Sequence, residues 1–259
     1  MPIELDDYYA GGAFVPSGTT GDQGPIPTSG QIEIDDFYGA SSAASSDPVS
    51  ITYNGQYNTE NNQTSYTWTG AATGTAQHDR IVVVGIASTG NNANVKLKYV
   101  TINGQRAHCE IYARSTETDN RTQVALYSMK VPTGTTTNIV AYLTGSQDRF
   151  GMLCWSVYNT SGKFEGAIDT VDSSGQLHVD VGYNANGAVL GMAVNQESGG
   201  TWAWTGLTED VDQGIGGGAS TMGGAHAEYT SSGNVSVYAQ CGDTTPLRQA
   251  LVAMSFNPK

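Results

Sequence analysis

From about residue 49 onward the chain is a succession of short apolar or alternating runs, each closed by Gly, Asn, Asp or Pro. Runs of this length and spacing predict β-strands. A first set falls at 65–69, 80–87, 95–102, 108–113, 123–131, 138–143 and 150–158. A second falls at 176–182, 188–195, 201–205, 225–229, 234–239 and 249–256. No window sustains a helical period with caps, so the predicted fold class is all-β.

The two sets match each other in order. Residues 81–87 resemble 188–194, 101–104 resemble 203–206, 138–143 resemble 234–239, and 152–159 resemble 250–257. Internal similarity of this kind predicts two related antiparallel β-sandwich units of jelly-roll or Ig-like type, at 49–163 and 164–259. A single larger sandwich built from both halves is the competing arrangement.

Residues 1–48 read differently, because Gly, Pro, Ser and Thr interrupt every apolar run and no core can form from them alone. They carry a short duplication. Ile3-Glu4-Leu5-Asp6-Asp7-Tyr8-Tyr9-Ala10-Gly11 returns as Ile32-Glu33-Ile34-Asp35-Asp36-Phe37-Tyr38-Gly39-Ala40. A merely solvated tail has no reason to hold apolar residues at matched places, whereas a peptide lying in two equivalent grooves does. The reading is an extended anchoring arm whose partner-binding residues are Ile3, Leu5, Tyr8, Tyr9, Ile32, Ile34, Phe37 and Tyr38. Fully extended, about 40 residues reach on the order of 130 Å.

Composition narrows the function classes. The 259 residues include 33 Gly and carry a net charge of −13, which opposes phosphate backbones and anionic lipid heads. Arg80, Lys96, Lys98, Arg106, Arg114 and Arg121 look scattered, with no cluster beside aromatics, and Lys96 and Lys98 read as residues on the wet face of a strand. Nucleic acid is therefore not an expected partner, nor is a membrane, since no apolar stretch approaches the ~20 residues of a spanning helix. The first residues lack the pattern of a signal peptide. Cys109, Cys154 and Cys241 are widely spaced, which predicts buried thiols and neither a disulfide framework nor a zinc site.

Chemistry-bearing motifs are sparse. His78, His108, His178 and His226 lie far apart, and no nucleophile elbow, phosphate loop or dinucleotide fingerprint occurs. The acidic stretch Glu209-Asp210-Val211-Asp212 lacks EF-hand spacing and reads as a solvated loop, the run Gly214-Ile215-Gly216-Gly217-Gly218 as a mobile one. No catalytic residue, metal or cofactor is expected. Trp202 and Trp204 alternate along one strand and so share a face. They read as core, with a sugar-stacking platform for a host glycan as the alternative.

The segment Ile26-Pro27-Thr28-Ser29-Gly30-Gln31-Ile32-Glu33-Ile34-Asp35-Asp36-Phe37-Tyr38-Gly39 resembles the N-terminal segment of many bacteriophage virion proteins. His78-Asp79-Arg80-Ile81-Val82-Val83-Val84-Gly85, Val131-Pro132-Thr133-Gly134 and Phe150-Gly151-Met152 resemble the sandwich of similar phage proteins. The resemblance implies a non-enzymatic particle component, made in the bacterial cytoplasm and incorporated into the virion. Its expected partners are other virion proteins, in the tail or baseplate or among capsid subunits. A symmetric homo-oligomer, most simply a trimer, would multiply weak contacts. A tail or fibre component is the leading expectation, a capsid decoration or head-spike protein the second, and a glycan-degrading enzyme the third.

Overall fold

The computed structural model describes residues 47–259 apart from 91–93, 116–120, 172–174, 197–199, 217–219 and 243–247. All but the last two residues of the predicted arm, with Ile3, Leu5, Tyr8, Tyr9, Ile32, Ile34, Phe37 and Tyr38, lie outside the described residues.

The fold is all-β. The first nine strands are β1 (Ser50–Thr59), β2 (Gln63–Ala72), β3 (Ile81–Gly90), β4 (Leu97–Ile102), β5 (Gln105–Arg106), β6 (His108–Arg114), β7 (Arg121–Lys130), β8 (Thr136–Gln147) and β9 (Arg149–Tyr158). They build a five-stranded sheet I of order β1-β9-β3-β7-β6 and a four-stranded sheet II of order β2-β8-β4-β5. The next eight are β10 (Thr160–Val171), β11 (Leu177–Tyr183), β12 (Ala188–Asn195), β13 (Trp202–Thr205), β14 (Thr208–Ile215), β15 (Ser220–Glu228), β16 (Gly233–Cys241) and β17 (Gln249–Pro258). They build sheet III, β10-β17-β12-β15-β14, and sheet IV, β11-β16-β13. Every pairing is antiparallel. Replacing β1, β3, β6, β7 and β9 by β10, β12, β14, β15 and β17 turns the order of sheet I into that of sheet III. The same substitution turns β2-β8-β4 into β11-β16-β13.

The four sheets stack in the order II, I, III, IV. Sheets I and III meet face to face through Val83, Leu126, Leu153 and Trp155 on one side and Leu190, Met192, Val252 and Met254 on the other. The opposite face of sheet I, with Val82, Val84, Ile86 and Met152, packs on Tyr66, Val100, Ile102 and Ile139 of sheet II. The opposite face of sheet III, with Val189, Leu251 and Ala253, packs on Leu177, Val179, Val237 and Ala239 of sheet IV. Inner strands are thus dry on both faces, which is why β12 reads Ala-Val-Leu-Gly-Met-Ala-Val-Asn and is buried throughout. Outer strands have one wet face, which is why β11 alternates as Leu-His-Val-Asp-Val.

The close approach of sheets I and III depends on glycines. A Cβ on Gly85 would stand 2.4 Å from the Met192 sulfur and 3.0 Å from the Trp155 ring, and one on Gly224 would stand 2.5 Å from the same ring. Together they form the slot that holds Trp155, which is fully buried. Sheet edges face each other across this interface, β1 against β14 and β10 against β6.

Besides the two-residue β5, three strands have no counterpart among the predicted runs: β1, β10 and β14. Each is a sheet edge, and each carries a register shift. Edge strands are blunted by polar side chains and bulges, which removes the periodicity by which a strand is recognised. The stretch Glu209-Asp210-Val211-Asp212, read from the sequence as a solvated loop, is part of β14, and Gly214 and Ile215 of the predicted mobile loop close that strand. The chain passes from the first nine strands to the next eight at Asn159, whose φ is 56°, and β10 begins at Thr160, ahead of the predicted boundary at 163/164.

Candidate functional site

The outer face of sheet II brings together residues that are distant in sequence. β8 lies between β2 and β4, and its register puts Tyr142 level with Ser65 on one side and Tyr99 on the other. The two tyrosine rings stack with centroids 4.5 Å apart. Because β5 folds back on β4, the Arg106 guanidinium comes 4.9 Å from the centroid of Tyr99, while Lys98 Nζ stands 5.9 Å from it. The row across the sheet therefore reads small residue, ring, ring, cation.

Beside this row, where β5 leads into β6, an open hollow of about 410 Å³ is lined by Lys98, Tyr99, Arg106, His108, Cys109 and Tyr127. Neither Lys98 nor Arg106 has a carboxylate within 4.0 Å among the described residues; His108 stands 3.9 Å from Glu110. The impression of scattered cations is thus corrected: cross-strand register gathers two of them on one aromatic ring, with Lys98 exposed as the extra residue where β4 shifts register between Leu97 and Tyr99. Cys109 is a second correction. It is exposed at the rim, whereas Cys154 and Cys241 are buried as expected, and none of the three is in a disulfide. Partial burial of its sulfur raises the Cys109 thiol above its ordinary pKa, an effect that outweighs a bond with Tyr127.

Sheet IV carries the corresponding face with different chemistry. Tyr238 is level with His178 and Thr205, and the His178 ring stacks on it at 4.3 Å. Asp180 accepts a hydrogen bond from Ser236 at 2.6 Å and stands 3.3 Å from His178. An aromatic pair is common to both outer sheets, but cations flank one and a carboxylate the other.

A third polar cluster lies at the seam of sheets I and III. The register shift between Glu209 and Val211 makes Asp210 the extra residue of β14. Asp210 accepts from Trp155 Nε1 at 2.8 Å and from His226 Nδ1 at 2.7 Å, and its side chain is buried. Burial alone would lower the His226 pKa; the bond to Asp210 and the charges of Asp210 and Glu228 outweigh it and leave the imidazole above its ordinary value. Burial, and then the Asp210 charge, push the Tyr53 hydroxyl up to about 12. Nearby, Gln56 bonds Gln213, and the Ile51 amide donates to Glu228 at 2.8 Å. Glu110 is the corresponding extra residue of β6, and its carbonyl accepts from Lys163 Nζ at 2.6 Å.

Trp202 and Trp204 are placed in the packing between sheets III and IV. Trp202 is 3% exposed and Trp204 is half-buried against the same cluster, with ring centroids 6.5 Å apart. Trp202 thus offers no open face for a sugar. Its backbone amide donates to Asp212 Oδ2 at 2.7 Å. Burial is the main cause that pushes the Asp212 carboxyl up to about 6; the Trp202 bond opposes it and the Glu209 charge adds to it. No group of three or more His, Cys, Asp or Glu side chains able to hold a metal occurs among the described residues.

The signal for the sheet II row was present in the sequence as Lys98-Tyr99 and Tyr142. It was unreadable there because stacking requires the pairing of β4 with β8. Comparison of the chain with protein-family models finds no match, and comparison with curated proteins finds none either.

Proposed function

We propose that this chain is a non-enzymatic structural protein of a bacteriophage virion, tail- or fibre-associated, held by its N-terminal arm and presenting the four-layer body outward. The doubled motif at residues 3–11 and 32–40 carries this reading. The body is compatible with it: among the described residues the apolar side chains of 49–256 pack against one another across four sheets. In this reading the Ile, Leu, Tyr and Phe of the arm occupy two equivalent sites on neighbouring virion proteins. The matching strand orders support a finer reading of the body as two related sandwich units, produced by duplication and fused through their five-stranded sheets.

A capsid decoration role, with the arm threaded across capsid subunits, is the second reading. The two are separated by labelling the protein in purified particles and locating it by electron microscopy, with copy number from quantitative mass spectrometry. The tail reading expects a few copies at the tail. Hundreds of copies on the head would replace it with decoration, and absence from particles would overturn both.

A further inference from the structure

We propose that the rim of sheet II binds an anionic saccharide chain, with Arg106 and Lys98 receiving its carboxylates and the free face of Tyr142 receiving a sugar ring. The inference names a ligand class for the outward face of the proposed virion protein and in that respect rests on that reading. Binding is measured on the purified full chain without particles, so its failure is distinct from failure to enter a virion.

Charge placement is the first argument. The chain has 11 Lys and Arg against 24 Asp and Glu, so two cations gathered at one place run against the overall balance of charge. Arg106 and Lys98 share one ring, exposed and without a carboxylate partner among the described residues. Two unneutralised cations side by side are an anion site in waiting. The ring they share is an electron-rich support that keeps both in place.

Geometry supplies the second argument. Tyr99 is covered on one side by Arg106 and on the other by Tyr142, so it acts as a spacer. The far side of Tyr142 looks over Ser65, whose side chain is too short to cover a ring. A sugar ring laid there puts its C–H face on the aromatic surface, and the next unit of the chain reaches the cations and the hollow at the β5–β6 corner. The hollow is open, which suits a polymer lying across the surface more than a small molecule enclosed by it.

Sheet IV provides an internal control. At the equivalent position Tyr238 is flanked by His178 and Thr205, with Asp180 beside them, so the cationic row is not a by-product of the architecture. Nucleic acid is the competing ligand. Its dense backbone charge is opposed by a net charge of −13, whereas a saccharide acid has wider spacing between carboxylates and presents apolar ring faces.

The test titrates the full chain by calorimetry with oligogalacturonate, with a neutral oligosaccharide of equal length, and with oligothymidylate of equal charge, each at low and high salt. The expected result is binding of oligogalacturonate that weakens with salt and falls by about tenfold or more in Arg106→Gln and in Tyr142→Ala, the loss of one charge-assisted contact or one stacking face. His178→Ala on sheet IV is expected to bind as the parent does. Arg106 is exposed and bonded to no other side chain among the described residues, so Arg106→Gln remains decisive if Tyr142→Ala unfolds. Absence of oligogalacturonate binding, equal binding of the neutral chain, or equal loss in His178→Ala would overturn the proposal. Tighter binding of oligothymidylate would replace it with a nucleic-acid surface.

Discussion

Arg80 shows how a single side chain holds this body together. It is fully buried and donates to the Val131, Gly74, Thr133 and Gly134 carbonyls at 2.8–2.9 Å, fastening the turn after β7 to the segment before β3. A guanidinium fork matches four carbonyls in a way an ammonium cannot. Arg80→Leu is expected to cost about 3–5 kcal/mol and Arg80→Lys most of the same amount, as measured by denaturant unfolding. Gly85 makes the opposite point, since its function is to have no side chain. Gly85→Ala drives a methyl into Met192 and Trp155 and is expected to cost about 1–3 kcal/mol. In a Met192→Ala background that cost should shrink, a coupling that a double-mutant cycle reads directly.

Titration of individual residues fixes how stability depends on pH. Asp212 in the folded chain holds its proton up to about 6, above its ordinary value of 3.8, so stability falls as pH rises through that interval. His226 is raised as well, so its contribution is complete below its ordinary value of 6.5 and is lost as pH rises through the higher folded value. Asp79 runs the other way. Burial would raise it, but bonds from Lys259 and the Asn159 amide leave it below its ordinary 3.8, so its contribution is lost as pH falls past that value. Thermal melts should therefore show a higher Tm at about pH 5 than at about pH 7.5, with a decline at more acid pH. Asp212→Asn should raise Tm more at about pH 7.5 than at about pH 5, where only part of the loss has developed; equal shifts at both would contradict this assignment.

At the scale of the element, the sequence was most legible where strands are dry on both faces and least legible at sheet edges. Strands β3, β9, β12 and β17 announce themselves as nearly unbroken apolar runs. Edges β1, β10 and β14 have polar, bulged sequences and were passed over. The match of 152–159 with 250–257 aligned Trp155 with Ala253, yet Trp155 faces the interface of sheets I and III and Ala253 faces sheet IV. A one-residue slip inverts every face of a strand, and apolar runs that are buried on both sides give nothing to detect it. The seam polar cluster depends on the extra residue in β14, and Trp155→Phe tests it. Removing the donor leaves the buried Asp210 carboxylate short of one bond and is expected to cost about 1.5–3 kcal/mol by denaturant unfolding.

For the whole molecule, the stack of four sheets makes the body one cooperative object. Val83, Leu126 and Trp155 of the first nine strands are buried in one cluster with Leu190, Met192 and Val252 of the next eight. Calorimetry should give a single unfolding transition for residues 47–259; two resolved transitions would show that the halves fold independently. No local pattern in the sequence could reveal this layering, because periodicity says which face is apolar and not which sheet covers it. The sheet II platform was hidden for the same reason. The arm, by contrast, is read entirely from its sequence, and the functional reading depends on it. The direct test is incorporation: particles assembled with the full chain or with a version lacking residues 1–40, each analysed by mass spectrometry after purification, with the melting temperature of each free protein as the folding control. The full chain is expected in particles and the shortened chain, folded with an unchanged Tm, is expected to be missing from them. Incorporation of the shortened chain at the level of the full chain would contradict the account.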